Sequence, residues 1–291
     1  MGQMLCGIFR HKVRVGERQF VVVKDVGEGA FSFVQLVQYK DDLFAMKRVL
    51  MQVPEHEEMV DREVTAHRLF DHPNIMPLID YEIVVKGENR EARMLFPFYQ
   101  NGSVQELIEN SAARGQRIPE RKILHMFESL CEAVSAFHSL CPPYAHRDIK
   151  PHNLLLREDG TVCLMDMGSV SEARVEVRSR SESLALEEKC AQECTAAYRA
   201  PELFSVASEC RIDEKTDVWS LGCTLYAMAY VNSPCDGSAL SAMSGRISIP
   251  EDSPFSSTFN NLIKYILQVE PQNRPTVKEI TQYIEANFSE A

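Results

Sequence analysis

Hydrophobic spacing changes its period once along this chain, near residues 97–103, and that change constrains the fold more than any other feature. Before it the pattern is mostly that of strands. Residues 20–26 are apolar and β-branched, Gly27-Glu28-Gly29-Ala30 marks a turn, and residues 33–39 read as the partner strand. Asp41-Asp42 turns the chain into a third strand over 43–50. Pro54 opens one helix, with Glu55, Glu57 and Glu58 complementing its dipole, expected to run to about residue 70 and stop ahead of His72-Pro73. Residues 80–86 and 92–98 flank Gly87-Glu88-Asn89, a hairpin signal. Beyond Asn101-Gly102 the apolar spacing is helical over 104–113, 120–138, 215–230, 259–269 and 277–287. Two short strands, 154–157 and 162–165, bracket Glu158-Asp159-Gly160. A chain of 291 residues is near the limit for a single core. The expected fold class is therefore α+β and bilobal. A small antiparallel β-sheet lobe with one helix (residues 18–98) precedes a larger, mainly α-helical lobe (99–291).

The charge balance narrows the function. Thirty-one Lys and Arg face 42 Asp and Glu, a net of −11, which disfavours nucleic acid as a partner. No apolar run approaches the ~18 residues that a membrane-spanning helix needs. The nine cysteines are odd in number and never spaced Cys-x-x-Cys, so a reducing compartment is the default and disulfides are not expected. Cys190 and Cys194 stand one helical turn apart, but two ligands without a second pair make a poor zinc site.

The chemistry is concentrated in His146-Arg147-Asp148-Ile149-Lys150-Pro151-His152-Asn153. Six of its positions match His-Arg-Asp-x-Lys-Pro-x-Asn, roughly one chance in 10⁸ per start site. Phosphoryl transfer needs a carboxylate to orient the attacking hydroxyl, and an amide five residues on to hold a metal ion from the same short loop. Eighteen residues past Asp148, Asp166-Met167-Gly168 closes a strand; its carboxylate suits a magnesium ion that bridges nucleotide phosphates. Upstream, the turn from Val26 through Gly27, Glu28, Gly29, Ala30, Phe31, Ser32 and Phe33 to Val34 lies between two strands, where glycines let backbone fold close over phosphate. Its place between strands argues against a dinucleotide fold, and the absence of any Gly-Lys pair excludes a P-loop. Lys47 supplies an ammonium for phosphate, and Glu63, sixteen residues on in the helix, a carboxylate to fix it.

Together these residues resemble the eukaryotic protein kinases over about residues 18 to 288. Ala200-Pro201-Glu202 looks like the close of an activation segment beginning at Asp166, Asp217 to Gly222 like the central helix of the large lobe, and Arg274 like the partner of Glu202. The resemblance implies ATP with magnesium, or manganese in its place, and protein substrates. It implies Asp148 as catalytic base, Lys150 (the serine/threonine signature) beside the transferred phosphate, Asn153 and Asp166 on the metal, and Lys47 on the α- and β-phosphates, anchored by Glu63. Thr195 and Tyr198 are candidate phosphorylation sites, with room for some tyrosine autophosphorylation. Three departures stand out: Ser32 replaces a loop glycine, Met167 replaces a Phe, and His67 lies one turn beyond Glu63, where a packing role is expected. No catalytic position is lost. The rival reading is a pseudokinase scaffold that binds nucleotide and partners without transfer.

Within the segment 166–202, residues 183–194 are strong helix formers with a Ser available as cap, so an inserted helix is expected to order it; residues 179–183 read as a serine-rich loop. Residues 1–17 read as a basic arm. Gly2, after removal of Met1, is a candidate for N-myristoylation and Cys6 for a second acyl chain. Arg10, Lys12, Arg14 and Arg18 against Glu17 leave +3 over residues 1–19, which favours anionic lipid. With Asp-x-Gly-Ser and Tyr-Arg-Ala-Pro-Glu-Leu-Phe-Ser-Val, this start is similar to lipid-modified members of the Numb-associated kinase group, which are myristoylated and palmitoylated serine/threonine kinases. That resemblance implies a membrane partner through a lipid anchor. The implied location is the cytoplasmic face of Golgi, trans-Golgi and perinuclear membranes, with the plasma membrane a further site.

Overall fold

Lys12-Val13-Arg14-Val15 alternates basic and apolar side chains, and the fold uses that alternation. In the computed structural model, which describes residues 11–28, 32–87 and 89–288, it forms a strand, β1 (Lys12–Val15), with Val13 and Val15 buried. The basic arm expected over 1–17 therefore ends earlier than its charge suggested, because its last residues complete a sheet. β1 turns through Gly16, at φ +58°, into β2 (Arg18–Glu28). There follow β3 (Ser32–Tyr39), β4 (Asp42–Met51), helix α1 (Pro54–Arg68), β5 (Asp80–Lys86) and β6 (Asn89–Pro97). The six strands pair antiparallel in the order β1-β2-β3-β4-β6-β5. Phe20, Val37, Met46 and Leu95 join Val13 and Val15 in one cluster, with Phe20 edge-on to Phe44. Arg18 pairs with Asp80 at 2.9 Å, so one of the four basic residues counted toward the arm is already neutralised within the sheet. The described residues through Leu69, with Met76–Phe98, make one unit; Phe70–Ile75 and the residues from Tyr99 onward make the other.

The second unit is mainly helical. Its order is α2 (Val104–Ala113), α3 (Glu120–His138), β7 (Tyr144–Ala145), β8 (Leu154–Leu156), β9 (Val162–Leu164), β10 (Ser171–Glu172), β11 (Val175–Val177), α4 (Arg180–Glu193), β12 (Cys210–Ile212), α5 (Lys215–Tyr230), α6 (Ala239–Ser244), α7 (Ser257–Ile266) and α8 (Val277–Phe288). Ser103 and Glu106 form a reciprocal capping box at α2. Helices α3 and α5 pack together in the core, where Phe127, Phe137 and Trp219 are fully buried. Gly222 lets α5 come close to the end of α7: a Cβ there would stand 2.7 Å from the Leu267 side chain.

Spacing located α2, α3 and α5 at their observed limits and placed α7 and α8 within a few residues. The two-residue pairing of β7 with β10, the pairing of β11 with β12, and α6 were not expected, being too short to show a period. The inserted helix begins earlier than expected. Ser179, read as loop, is its cap, accepting from the Glu182 amide at 3.2 Å, while Ser183 lies inside the helix and donates to Val206 O at 2.6 Å.

Candidate active site

In the sheet unit, Lys47 projects from β4 between Val34 of β3 and Met94 of β6. Its ammonium donates to both carboxylate oxygens of Glu63, at 2.7 and 2.8 Å. Glu63 is buried on α1, whose first turn carries Pro54 and the acids Glu55 and Glu57. Holding the ammonium against a buried carboxylate fixes it as a point charge for phosphate. One turn on, His67 donates Nδ1–H to Met76 O at 2.9 Å and packs against Phe96, the structural role expected of it.

Val26, Gly27 and Glu28 end β2, exposed, and Ser32, Phe33 and Val34 begin β3; Gly27 registers with Val34 and Glu28 with Phe33. Gly29, Ala30 and Phe31 lie outside the described residues, as do Gly2 and Cys6. Nothing among the described residues requires glycine at 27, since a Cβ there would make only an ordinary contact, 4.0 Å from Val34 Cβ. The missing side chain instead leaves backbone open to a ligand.

In the helical unit the loop His146–Asn153 is fastened from beneath. Asp217 of α5, wholly buried, accepts the backbone amides of His146 and Arg147, both at 2.8 Å, and meets His138 at 3.2 Å. Burial alone would raise the Asp217 carboxyl, but His138, with the Arg147 amide, outweighs it and holds the group below the usual carboxylate range. They also sustain Arg147 at φ +67°, an unfavourable conformation for its side chain. His146 donates from Nε2 to Met165 O and accepts the Asp148 amide on Nδ1, which fixes the orientation of its ring.

Two side chains and one backbone amide converge on Asp148. Lys150 Nζ donates to its Oδ2 at 2.7 Å, Asn153 Nδ2 reaches the same oxygen at 3.1 Å and the Asp148 carbonyl at 2.8 Å, and the Thr195 amide reaches Oδ1 at 3.0 Å. Burial pushes this carboxyl up, yet the Lys150 charge and hydrogen bond, with Thr195, bring it below its ordinary value. Lys150 also donates to Thr195 Oγ1 at 2.6 Å. With its amide nitrogen so engaged, Asn153 has its side-chain oxygen left as the atom that could hold a metal. The Met165 amide donates to Asn153 O at 2.9 Å, which ties this loop to the strand end carrying Asp166. Asp166 is half-buried at φ +68° and accepts from the Gly168 amide. Met167 is fully buried, filling its pocket as an apolar side chain should. A carboxylate and an amide oxygen make a hard donor set that suits magnesium completed by phosphate and water. Among the described residues, no group of three or more His, Cys, Asp and Glu gathers for a metal.

The segment after Asp166 is braced throughout. Leu186, Ser183 and Cys190 are the buried face of α4, and the Val206 amide donates to Glu187 Oε1 at 2.9 Å. Glu202 closes the segment in a two-pronged pair with the buried Arg274, both bonds 2.7 Å, and Arg274 lies over the Trp219 ring. Tyr198 is buried, and burial raises its phenol well above the usual value. Sequence reasoning named Asp217 only as part of a helix motif and missed its hold on the loop; an acid in an otherwise apolar helix was the available signal. The grip of Thr195 on Asp148 had no signal, since it joins residues 47 apart.

Comparison with known proteins comes to the same place. A family model described as the protein kinase domain matches residues 20–284. The chain is 40% identical over 294 residues to "Serine/threonine-protein kinase 16" of Rattus norvegicus, covering 98% of this chain and 96% of that protein. It is 39% identical to the Homo sapiens protein of the same name over the same shares. A probable serine/threonine-protein kinase of Dictyostelium discoideum is 33% identical over 343 residues, covering 91% of this chain and 93% of that protein.

Proposed function

The chain belongs to the protein kinase family and is a serine/threonine protein kinase; from that premise we propose how its residues transfer the γ-phosphate of ATP and where it acts. The observation that carries the mechanism is the state of Asp148. Held below the usual carboxylate range, it is ionised at neutral pH and accepts a hydrogen bond from the incoming hydroxyl. In a loose transition state this orients the nucleophile before it removes the proton. Lys150 balances that charge and lies where a transferred phosphate would gain a cation. Asn153 and Asp166 would hold magnesium, which supplies charge neutralisation for the phosphates. Lys47, fixed by Glu63, would hold the α- and β-phosphates. Catalysis is then mostly positioning and electrostatics.

The test is phosphate incorporation into protein with magnesium or manganese, lost in Asp148→Ala while nucleotide binding survives. An unmutated protein that binds ATP without transfer would instead be a scaffold.

The wider reading adds autophosphorylation, with a minor tyrosine component, and attachment to Golgi, trans-Golgi, perinuclear or plasma membranes through acyl chains on Gly2 and Cys6. It is supported by Gly2 and Cys6 in the sequence, since one myristoyl chain binds membrane only reversibly and a second acyl chain stabilises it. Intact-mass analysis from native cells with fractionation of Gly2→Ala tests it. A membrane-bound parent with a cytosolic variant is the expected result, and identical fractionation removes the anchor.

A further inference from the structure

Helix α5 ends on a strained residue. The Val231 amide donates to Ala227 O at 2.9 Å, and Val231 stands at φ +76°, ψ −39°, a conformation that β-branched residues seldom accept. The core does not require this valine, which remains 44% exposed. With Ala197, Tyr198, Pro234, His152 and Asp236 it lines an open cavity of about 510 Å³, within the range of ligand-binding clefts. The cavity wall joins the catalytic loop on two sides. His152 precedes Asn153, whose Nδ2 donates to Asp148. The Tyr198 amide donates to Thr195 O at 2.9 Å, and the Thr195 amide donates to Asp148 Oδ1. The loop after α5 is pinned to that same turn. Ser233 Oγ donates to Ala197 O at 2.5 Å, and a Cβ on Gly237 would stand 3.5 Å from the Ala197 nitrogen.

We propose that this cavity selects the acceptor: it takes a cationic side chain, Lys or Arg, from a residue flanking the target serine or threonine, with Asp236 as its counter-ion. An acceptor chain laid extended across Asp148 advances about 3.3 Å per residue, so its near neighbours on one side of the hydroxyl pass the cavity. That the occupant belongs to an acceptor chain rests on the kinase reading; that it is cationic does not.

Charge and shape of the wall agree on that occupant. Asp236 is the one Asp, Glu, Lys or Arg among the lining residues. Its Oδ1 accepts the Ser238 amide at 2.8 Å, which fixes the carboxylate in the turn ahead of α6, and no Lys or Arg pairs with it among the described residues. Burial, and then the Lys150 charge, hold the His152 imidazole below its usual value, so His152 brings no competing positive charge. Val231, Pro234 and Tyr198 offer an apolar flank to a methylene stem, and Asp236 meets its charged end. The strained valine has a use on this reading. Glycine would relieve the backbone at 231, but methyl groups that the core leaves exposed gain a partner in the stem.

The experiment gives the full chain a set of serine peptides carrying Arg, Ala, Glu or norleucine at each flanking position in turn. Peptide kcat/KM is measured, and binding of the same peptides with alanine in place of the target serine is read by fluorescence anisotropy. Expected is one position where Arg exceeds Ala about tenfold in both measurements. Asp236→Asn keeps an acceptor for the Ser238 amide and removes the charge, and should bring that ratio close to one. Asp236→Lys should turn the preference toward Glu, a reversal that damage to the loop would not produce. A ratio untouched in Asp236→Asn, or a preference for norleucine over Arg, overturns the proposal. A chain that transfers no phosphate yet binds the Arg peptide through Asp236 keeps the cavity and defeats the kinase mechanism. One that phosphorylates all the peptides equally defeats the cavity alone, so the two failures are told apart.

Discussion

The backbone amide of Thr195 donates to Asp148 Oδ1 at 3.0 Å, while its hydroxyl accepts from Lys150, which also donates to Asp148 Oδ2. The end of the activation segment is thereby hydrogen-bonded directly to the catalytic carboxylate. A phosphate on Thr195 would set a second negative group against Asp148 and draw Lys150 to itself. Thr195→Glu is therefore expected to lower kcat by about tenfold or more, whereas Thr195→Ser keeps the hydroxyl and the rate. Steady-state phosphorylation of a peptide decides it; a faster Thr195→Glu enzyme would contradict this geometry.

The pH profile gives a second test. Asp148 lies below its ordinary value, near 4 for a free aspartate, so its acid limb in kcat falls below about pH 4. Lys150→Met removes the principal lowering group and leaves burial, which raises. The acid limb of that variant should move to higher pH, whatever its absolute rate. An unmoved limb would show that Lys150 does not set the ionisation of Asp148.

Stability should depend on Asp217. Its folded carboxyl titrates below the unfolded value, so the contribution is complete above about pH 4 and is lost as pH falls through the folded value. Asp217→Asn leaves His138 without its anion and is expected to cost about 3 kcal/mol at pH 7. Urea unfolding at several pH values checks this: the gap between variant and parent should narrow below about pH 4. A gap independent of pH would assign the cost to packing alone.

The activation segment should hold its shape without phosphate. Helix α4 is capped by Ser179, buries Leu186 and is tied to Val206 through Ser183 and Glu187. Phosphatase-treated protein is expected to retain most of its activity, and Leu186→Asp to lose it while cleavage by protease within 180–193 accelerates. Full dependence on a phosphate at Thr195 or Tyr198 would refute this.

Most of the lobes and the chemical residues were legible because long elements repeat a period and the catalytic loop compresses its groups into eight residues. What escaped was short or distant. β1 was read for its charge although Val13 and Val15 alternate with Lys12 and Arg14; the same four residues carry both signals, and burial chose the second. The start of α4 was misplaced because a serine favours loops and caps alike, and only Glu182 three residues on distinguishes Ser179 from Ser183. The bonds of Asp217 to His146 and Arg147 span about 70 positions, beyond any local pattern.

β1 also sets a length. The sheet takes hold of the chain at Lys12, only ten residues after Gly2. A fully extended chain spans at most about 3.6 Å per residue, so an acyl group on Gly2 would leash the sheet within about 36 Å of the lipid. On that leash the enzyme would sample a layer little thicker than the bilayer itself. Substrates presented at the membrane surface would meet it at high local concentration, and those in bulk solution hardly at all.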